Sequence, residues 1–229
     1  MKAYVITIEG DAASEAGAER LRASSVAVGN EFDVVAFQAT TPREVVDRME
    51  SACIIWTYPW EAPAEMFGLK LHPYTTRNRL ARMACFYSHY YLWAYAHRTG
   101  EDTLILEDDA IFTSKFDPTA ALESPYAIVG INDPRGATRR AGHFHFMVNT
   151  QDGEVAETPW VDKRDVPQGL AGASAYLVKP EGARKAIELT RECGAWPNDA
   201  LLCKQLMPGM LGVCKTYATK VTGSKSTLA

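Results

Sequence analysis

The sequence is short of what several classes of protein require. Its five cysteines, Cys53, Cys85, Cys193, Cys203 and Cys214, are odd in number, widely scattered and without CxxC spacing. That pattern excludes a zinc site of the usual kind and points to a reducing compartment. No apolar run reaches transmembrane length, and the opening "MKAYVITIEG" is too short an apolar run for a signal peptide, so the expected location is cytoplasmic. Neither sign of charge dominates: Lys+Arg 24 against Asp+Glu 28 leaves a net charge of -4. There is thus no global attraction to nucleic acid or to an anionic membrane, and such a partner would need a local basic patch. Repeats and low-complexity tracts are absent as well. What remains is a globular chain of 229 residues, 47% hydrophobic, long enough to bury a sizeable core and expected to form one domain over residues 1–229.

Short apolar runs alternate with amphipathic segments in the first half. "AYVITI" (3–8), "FDVVAF" (32–37) and "ACIIWTY" (52–58) read as strands, with "SEAGAERLRA" and "PREVVDRME" as the helices between them. Thr41, Pro42 and Glu44 form a capping-box signature at the start of the second helix. A longer helix is predicted from Arg77 to about Thr99, with Leu80, Ala84, Tyr87, Tyr91 and Ala94 facing the core. The spacing implies an α/β fold with "TLIL" (103–106) as its fourth strand.

That strand runs directly into Glu107, Asp108 and Asp109. Three adjacent negative charges repel one another, and apolar flanks hold them near low-dielectric surroundings, so a positive partner is expected. Mg²⁺ or Mn²⁺ suits oxygen ligands of this kind, together with substrate phosphates. An exposed acidic turn is the competing explanation. The carboxyl end of a strand in an open α/β sheet is where ligands bind, which favours a site. On extended backbone Glu107 and Asp109 share one side and Asp108 takes the other.

Further along, "YAIVGI" (126–131), "HFHFMV" (143–148), "ASAYLV" (173–178) and "LGVCKTYAT" (211–219) read as strands, "PEGARKAIELTREC" (180–193) as a helix and "DALLCKQLM" (199–207) as a short helix. A period of two in "HFHFMV" puts His143 and His145 on one face. Residues 149–172 are rich in turn formers and are expected to supply long loops over one end of the sheet.

Four separated pieces, "ACFYSHYYLWAYA" (84–96), "LILEDDAIF" (104–112), "GASAYLVKPEGARKAI" (172–187) and "WPNDALL" (196–202), occur in an order that resembles the family-25 glycosyltransferases, enzymes of bacterial lipooligosaccharide synthesis and collagen galactosylation. The resemblance covers about residues 77–205. Where that family carries an Asn-Leu pair ending its first strand, this chain departs from the pattern with Thr7 and Ile8, and the family's nearby arginine has no clear counterpart here unless Arg20 or Arg22 serves.

The resemblance implies a GT-A fold: a single Rossmann-like domain with a mixed, mainly parallel central sheet. Residues 1–110 would be the nucleotide-sugar-binding half and residues 111–229 the acceptor-side half. It implies a UDP-sugar or related donor, Mn²⁺ or Mg²⁺ as cofactor, and transfer of a hexose with inversion. A metal bridging the two phosphates would neutralise the charge that develops on the leaving nucleoside diphosphate.

Asp109 is then the expected direct metal ligand, and Glu107 either a second ligand through water or a contact to the donor ribose. Asp108, Thr7, Ile8, Arg82, Ser88 and His89 complete the expected donor side. Arg77 and Arg79 could hold pyrophosphate beside Arg82, but a solvated helix face explains them as well. Tyr58 and Trp60 could stack on a base or sugar, or simply pack. Asp199 is the expected catalytic base, in competition with a capping role for Asp199 or Asn198.

Arg139, Arg140, His143 and His145 are expected on the acceptor side. A bacterial surface glycan is the favoured acceptor. The basic stretch "PRGATRRAGHFHF" (134–146), which also holds Arg135, keeps open a phage-type enzyme acting on hydroxymethylated bases in DNA. A catalytically idle sugar-binding protein of the same fold is the alternative of another class.

Overall fold

The computed structural model describes residues 1–136 and 140–222. In chain order the elements are β1 (Lys2–Thr7), α1 (Ala12–Ala27), β2 (Val34–Gln38), α2 (Val45–Ser51), β3 (Ala64–Met66), β4 (Leu69–Leu71), α3 (Arg79–Thr99), β5 (Thr103–Glu107) and β6 (Ala110–Phe112). They continue with α4 (Thr119–Glu123), β7 (Ile128–Gly130), α5 (Ala141–Asn149), β8 (Val155–Glu157), β9 (Ala175–Val178), α6 (Pro180–Cys193), α7 (Asn198–Leu201), β10 (Leu211–Cys214) and β11 (Thr219–Val221).

One seven-stranded sheet with the order β2-β1-β5-β9-β7-β10-β8 organises the chain. Its ladders make β2, β1 and β5 mutually parallel, as are β7 and β10, while β9 and β8 run against their neighbours. The architecture is therefore α/β with a mixed sheet, as the sequence implies.

The period of two sorts the central strands between two cores. Ile105, Tyr176 and Val178 face a core shared with α3 and α6, whereas Leu104, Leu106, Ala175 and Leu177 face the core under α1. Leu104, Ile105 and Leu106 are wholly buried. Each such side chain contributes about 1.5–3 kcal/mol of burial. This explains why β5 reads as a continuous apolar run and why its end can carry charge only where the sheet opens.

Helix boundaries follow local chemistry. Asp11 caps α1 by accepting from the amides of Ala13 and Ser14 at 3.0 and 2.9 Å. Asn78 caps α3 at Ala81, and Gly100 ends it with φ +70°, a left-handed position that suits glycine. Pro180 opens α6. The Glu44 half of the expected capping box forms, its carboxylate accepting from the Thr41 amide at 2.9 Å.

Several sequence expectations are corrected. Residues 52–58 do not join the sheet. The stretch runs beside residues 193–195, with one bridge between Trp56 and Ala195, and Ile55 stays 71% exposed. Its neighbour is a short loop, so no ladder can extend. "TLIL" is thus the third strand of the main sheet in chain order.

"HFHFMV" lies in α5. Phe144 and Val148, four apart, are its buried pair, and a run of six residues fits either period. His143 and His145 therefore do not share a face. In α3 the buried positions are Ala84, Ser88, Leu92 and Ala96, with Phe86, Tyr87, His89 and Trp93, while Leu80 and Tyr91 are exposed. A helix apolar nearly all round does not choose its face by pattern alone. Of the last expected strand only Leu211–Cys214 forms β10, and β11 begins at its final residue, Thr219, and pairs with β6.

Candidate active site

Glu107 ends β5, and Asp108 and Asp109 form the turn into β6. Because the backbone turns there, all three side chains line one cavity of about 430 Å³, bounded by the ends of β1 and β2, the start of α1 and one face of α3. Gly17 on α1 makes the close approach possible. A Cβ there would sit far inside contact distance of the Asp108 carbonyl. Gly17→Ala is expected to destabilise the fold by about 1–3 kcal/mol through overpacking, measured by denaturant unfolding.

The three carboxylates differ in their surroundings. Burial and then the charges of Glu107 and Asp108 push Asp109 up to about 7. Burial likewise raises Asp108, with the Ser14 hydroxyl opposing it and the charges of Glu107 and Asp11 adding to it. Burial also works to raise Glu107, but the contact with His89, helped by Ser174, outweighs it and its pKa is lowered.

A hard divalent cation fits these residues. The Asp109 Oδ1 atom is buried without a hydrogen-bond partner among the described residues, in a place where like charges accumulate. Cys85, His89 and Glu107 also offer ligand atoms within 4.8 Å of one another. There, however, both ring nitrogens of His89 are already hydrogen-bonded, and burial holds the Cys85 thiol well above its usual range. The oxygen set at Asp109 is the better match for Mg²⁺ or Mn²⁺.

Of the expected donor-side residues, Ile8, Ser88, His89, Glu107 and Asp108 line this cavity, as does Arg20, the alternative arginine. Ser88 accepts from the Thr40 amide at 2.9 Å and donates to the Ala84 carbonyl, fastening the end of β2 to α3. The Thr7 hydroxyl bonds back to Val5 on its own strand. Arg82 lies elsewhere: it donates to Thr76 at 2.7 Å and covers the Tyr74 ring at 5.0 Å. Arg22 pairs with Glu19, Arg79 with Glu61, and Arg77 is exposed. Trp60 stacks on Trp56 at 4.6 Å.

Asp199 stands in a second, larger cavity of about 850 Å³, whose walls include Tyr58, Tyr74, Arg140 and Gln168. Its Oδ2 accepts from the Tyr74 hydroxyl at 3.0 Å. The carboxyl reaches solvent, yet protein surrounds it. This burial raises its pKa against the opposing effects of Tyr74 and Arg82. Neither Asp199 nor Asn198 caps α7, which has no side-chain cap. Tyr58 stacks on Tyr74 at 5.6 Å and donates to the His72 carbonyl, so it belongs to this wall.

A chain of contacts links the two cavities. The Asn198 amide reaches Cys85 Sγ at 3.9 Å, and Cys85 Sγ lies 4.0 Å from Glu107 Oε1. The first cavity draws on residues 6–109, whereas the second takes residues 58–74 and 140–199.

The expected acceptor-side residues divide. Arg140 lines the larger cavity, tied to the Val161 carbonyl and 3.7 Å from Asp162. Arg139 lies outside the described residues. His143 is exposed on α5, and His145 bonds Tyr217 at 3.0 Å, away from both cavities. Arg135 is held by Asp133 through a forked contact.

Tyr74, Cys85, Gln168 and Ser174 were not singled out by sequence. Gln168 is buried and ties down the loop over the larger cavity, accepting from the amides of Val161 and Asp162 and donating to the Lys163 carbonyl.

Residues 35–126 match the family described as glycosyltransferase family 25 (LPS biosynthesis protein). Over this segment the chain is similar to the family-25 glycosyltransferases. It holds α3 and the acidic strand end and stops well before Asp199. No curated protein matches the chain. Among solved structures, the galactosyltransferase LgtC with donor and acceptor sugar analogs is similar at 9% identity and a TM-score of 0.49, over 96% of this chain and 86% of that one. Mouse xyloside xylosyltransferase 1, apo form, is similar at 10% identity and a TM-score of 0.45, over 93% and 84%. Likenesses this low decide nothing about chemistry. Among the described residues no helix is long and apolar enough to cross a membrane.

Proposed function

We propose that this protein is a family-25 glycosyltransferase that moves a hexose from a UDP-sugar to a hydroxyl of a bacterial surface glycan, with inversion and with Mn²⁺ or Mg²⁺ at Asp109. The observation that carries the reading is the buried, unpartnered Asp109 Oδ1 among three carboxylates that converge on one cavity at the carboxyl end of β5.

When bound, the cation would neutralise charge on the leaving diphosphate. The protein's part is to hold it through Asp109, with Glu107 and Asp108 beside it and Arg20 at the cavity wall for phosphate oxygens. In the second cavity, Asp199 takes the acceptor proton. Its raised pKa makes it a better base than an ordinary aspartate, and the Tyr74 hydroxyl on Oδ2 orients the carboxylate. A reducing, cytoplasmic setting belongs to the same reading.

The charges around the larger cavity support a neutral acceptor. Of the cations on its wall, Lys70 pairs with Asp165 at 2.6 Å and Arg140 lies near Asp162, which leaves Lys163, while Arg135, outside the cavity, is occupied by Asp133. Cations already matched by carboxylates make a poor track for a phosphate backbone. Transfer or binding measured across a salt series is therefore expected to change little, and Arg135→Ala with Arg140→Ala to leave that slope unchanged. A steep slope on hydroxymethylated DNA, flattened by the two substitutions, would restore the DNA acceptor.

The deciding experiment is a nucleotide-sugar panel with and without Mn²⁺, read by mass spectrometry of captured ligand and of product. Capture and turnover of a UDP-sugar are expected. Capture of a sugar without turnover on any acceptor would indicate the idle binding protein instead.

A further inference from the structure

His89 is wholly buried on α3, behind the acidic strand end. Its Nε2 lies 3.0 Å from Glu107 Oε1, and its Nδ1 lies 2.8 Å from the Tyr176 hydroxyl. That hydroxyl also receives the indole N–H of Trp93 at 2.8 Å, and the His89 and Tyr176 rings stack at 5.8 Å. Tyr176 and Trp93 are themselves fully buried.

For a neutral His89 ring, donor and acceptor counting fixes the direction of every bond. Indole nitrogen only donates, so the Tyr176 oxygen accepts from Trp93. The Tyr176 O–H then has His89 Nδ1 as its partner, and Nδ1 must present a lone pair. Nε2 therefore carries the ring proton and donates to the Glu107 carboxylate. With the opposite tautomer, the tyrosine proton would lose this partner and a nitrogen lone pair would face a carboxylate.

We propose that His89 is a positioning residue, locked as the Nε2–H tautomer by the buried Trp93–Tyr176 pair. It fixes Glu107 by holding Oε1, so that the carboxylate keeps one orientation at the cavity that would take a nucleoside diphosphate. The ligand part of this inference rests on the donor reading above. It changes the role expected for His89 from contacting the donor to orienting the group that does.

Three variants separate the roles. Tyr176→Phe deletes only the hydroxyl, His89→Gln keeps an N–H near the Nε2 position, and His89→Leu removes it. Side-chain ¹⁵N NMR of the full chain, with His89 assigned through its Gln variant, is expected to show the Nε2–H form alone in the wild type and a mixture in Tyr176→Phe. UDP affinity by calorimetry is expected to fall about 10- to 100-fold in His89→Leu, to recover largely in His89→Gln and to fall less in Tyr176→Phe, with acceptor KM unchanged.

An Nδ1–H, mixed or doubly protonated wild-type signal would overturn the lock. So would a Tyr176→Phe protein that keeps the single Nε2–H form, and this measurement stands even when His89→Leu fails to fold. Wild-type affinity in a folded His89→Leu protein would overturn the positioning role. A wild type that binds no UDP would instead sink the donor reading, with the NMR signal still deciding the lock.

Discussion

Asp109→Asn is expected to abolish measurable transfer, a loss of at least about 10²-fold, while leaving the protein as stable as before or more so. The two effects have opposite signs because the carboxylate is in an unfavourable place for its own charge. Burial and the charges of Glu107 and Asp108 raise its pKa to about 7. A carboxyl whose folded pKa lies above its unfolded value weakens the fold wherever the unfolded chain is ionised and the folded site resists ionisation. An amide of the same shape removes that repulsion.

The catalytic side follows from the same crowding. A cation that binds the folded state alone raises the melting temperature with its concentration, so Mn²⁺ should stabilise the wild type and have little effect on Asp109→Asn. Thermal melts with and without Mn²⁺ and UDP make the comparison, and equal Mn²⁺-induced shifts in both proteins would remove Asp109 from the metal site.

The acidic end could be found in the sequence because it interrupts the pattern that surrounds it. Thr103 to Leu106 form a strand buried on both faces, and such a strand can end in three carboxylates only where the sheet opens. Helix α6 was legible for a local reason too, Pro180 at its start and an apolar stripe behind it. The sequence pattern is ambiguous where two periods fit one short run, as in residues 143–148, and misleads where extended backbone finds no strand to join, as in residues 52–58.

The larger cavity was largely hidden. Its key contact, Tyr74 to Asp199, spans 125 positions, and Tyr74 sits in a stretch without periodicity. Gln168 acts through backbone groups that carry no residue signature. His89 was visible as a polar residue on an apolar helix, but whether it touched the ligand or stood behind Glu107 depended on Tyr176, 87 positions away.

Asp199→Asn separates the base from the scaffold. The variant is expected to lose roughly 10²- to 10⁴-fold in turnover with donor binding intact, because a general base acts only once donor and acceptor are both in place. Its melting temperature should hold or rise slightly: the carboxyl caps no helix, and its pKa is raised, so its charge is not a source of stability at neutral pH. The amide also preserves an oxygen for the Tyr74 hydroxyl. Tyr74→Phe, by contrast, leaves the carboxylate but removes the bond that orients it, and a smaller loss in turnover is expected. Asn198→Ala is the control for local packing, since Asn198 is buried and reaches Cys85. It should lower stability more than Asp199→Asn does while retaining more activity. An Asp199→Asn protein that melts early yet turns over normally would return the residue to a structural role. The base would then have to be sought in Asp133, His143 or His145, but Asp133 is occupied by Arg135 and the histidines lie on α5 outside the larger cavity.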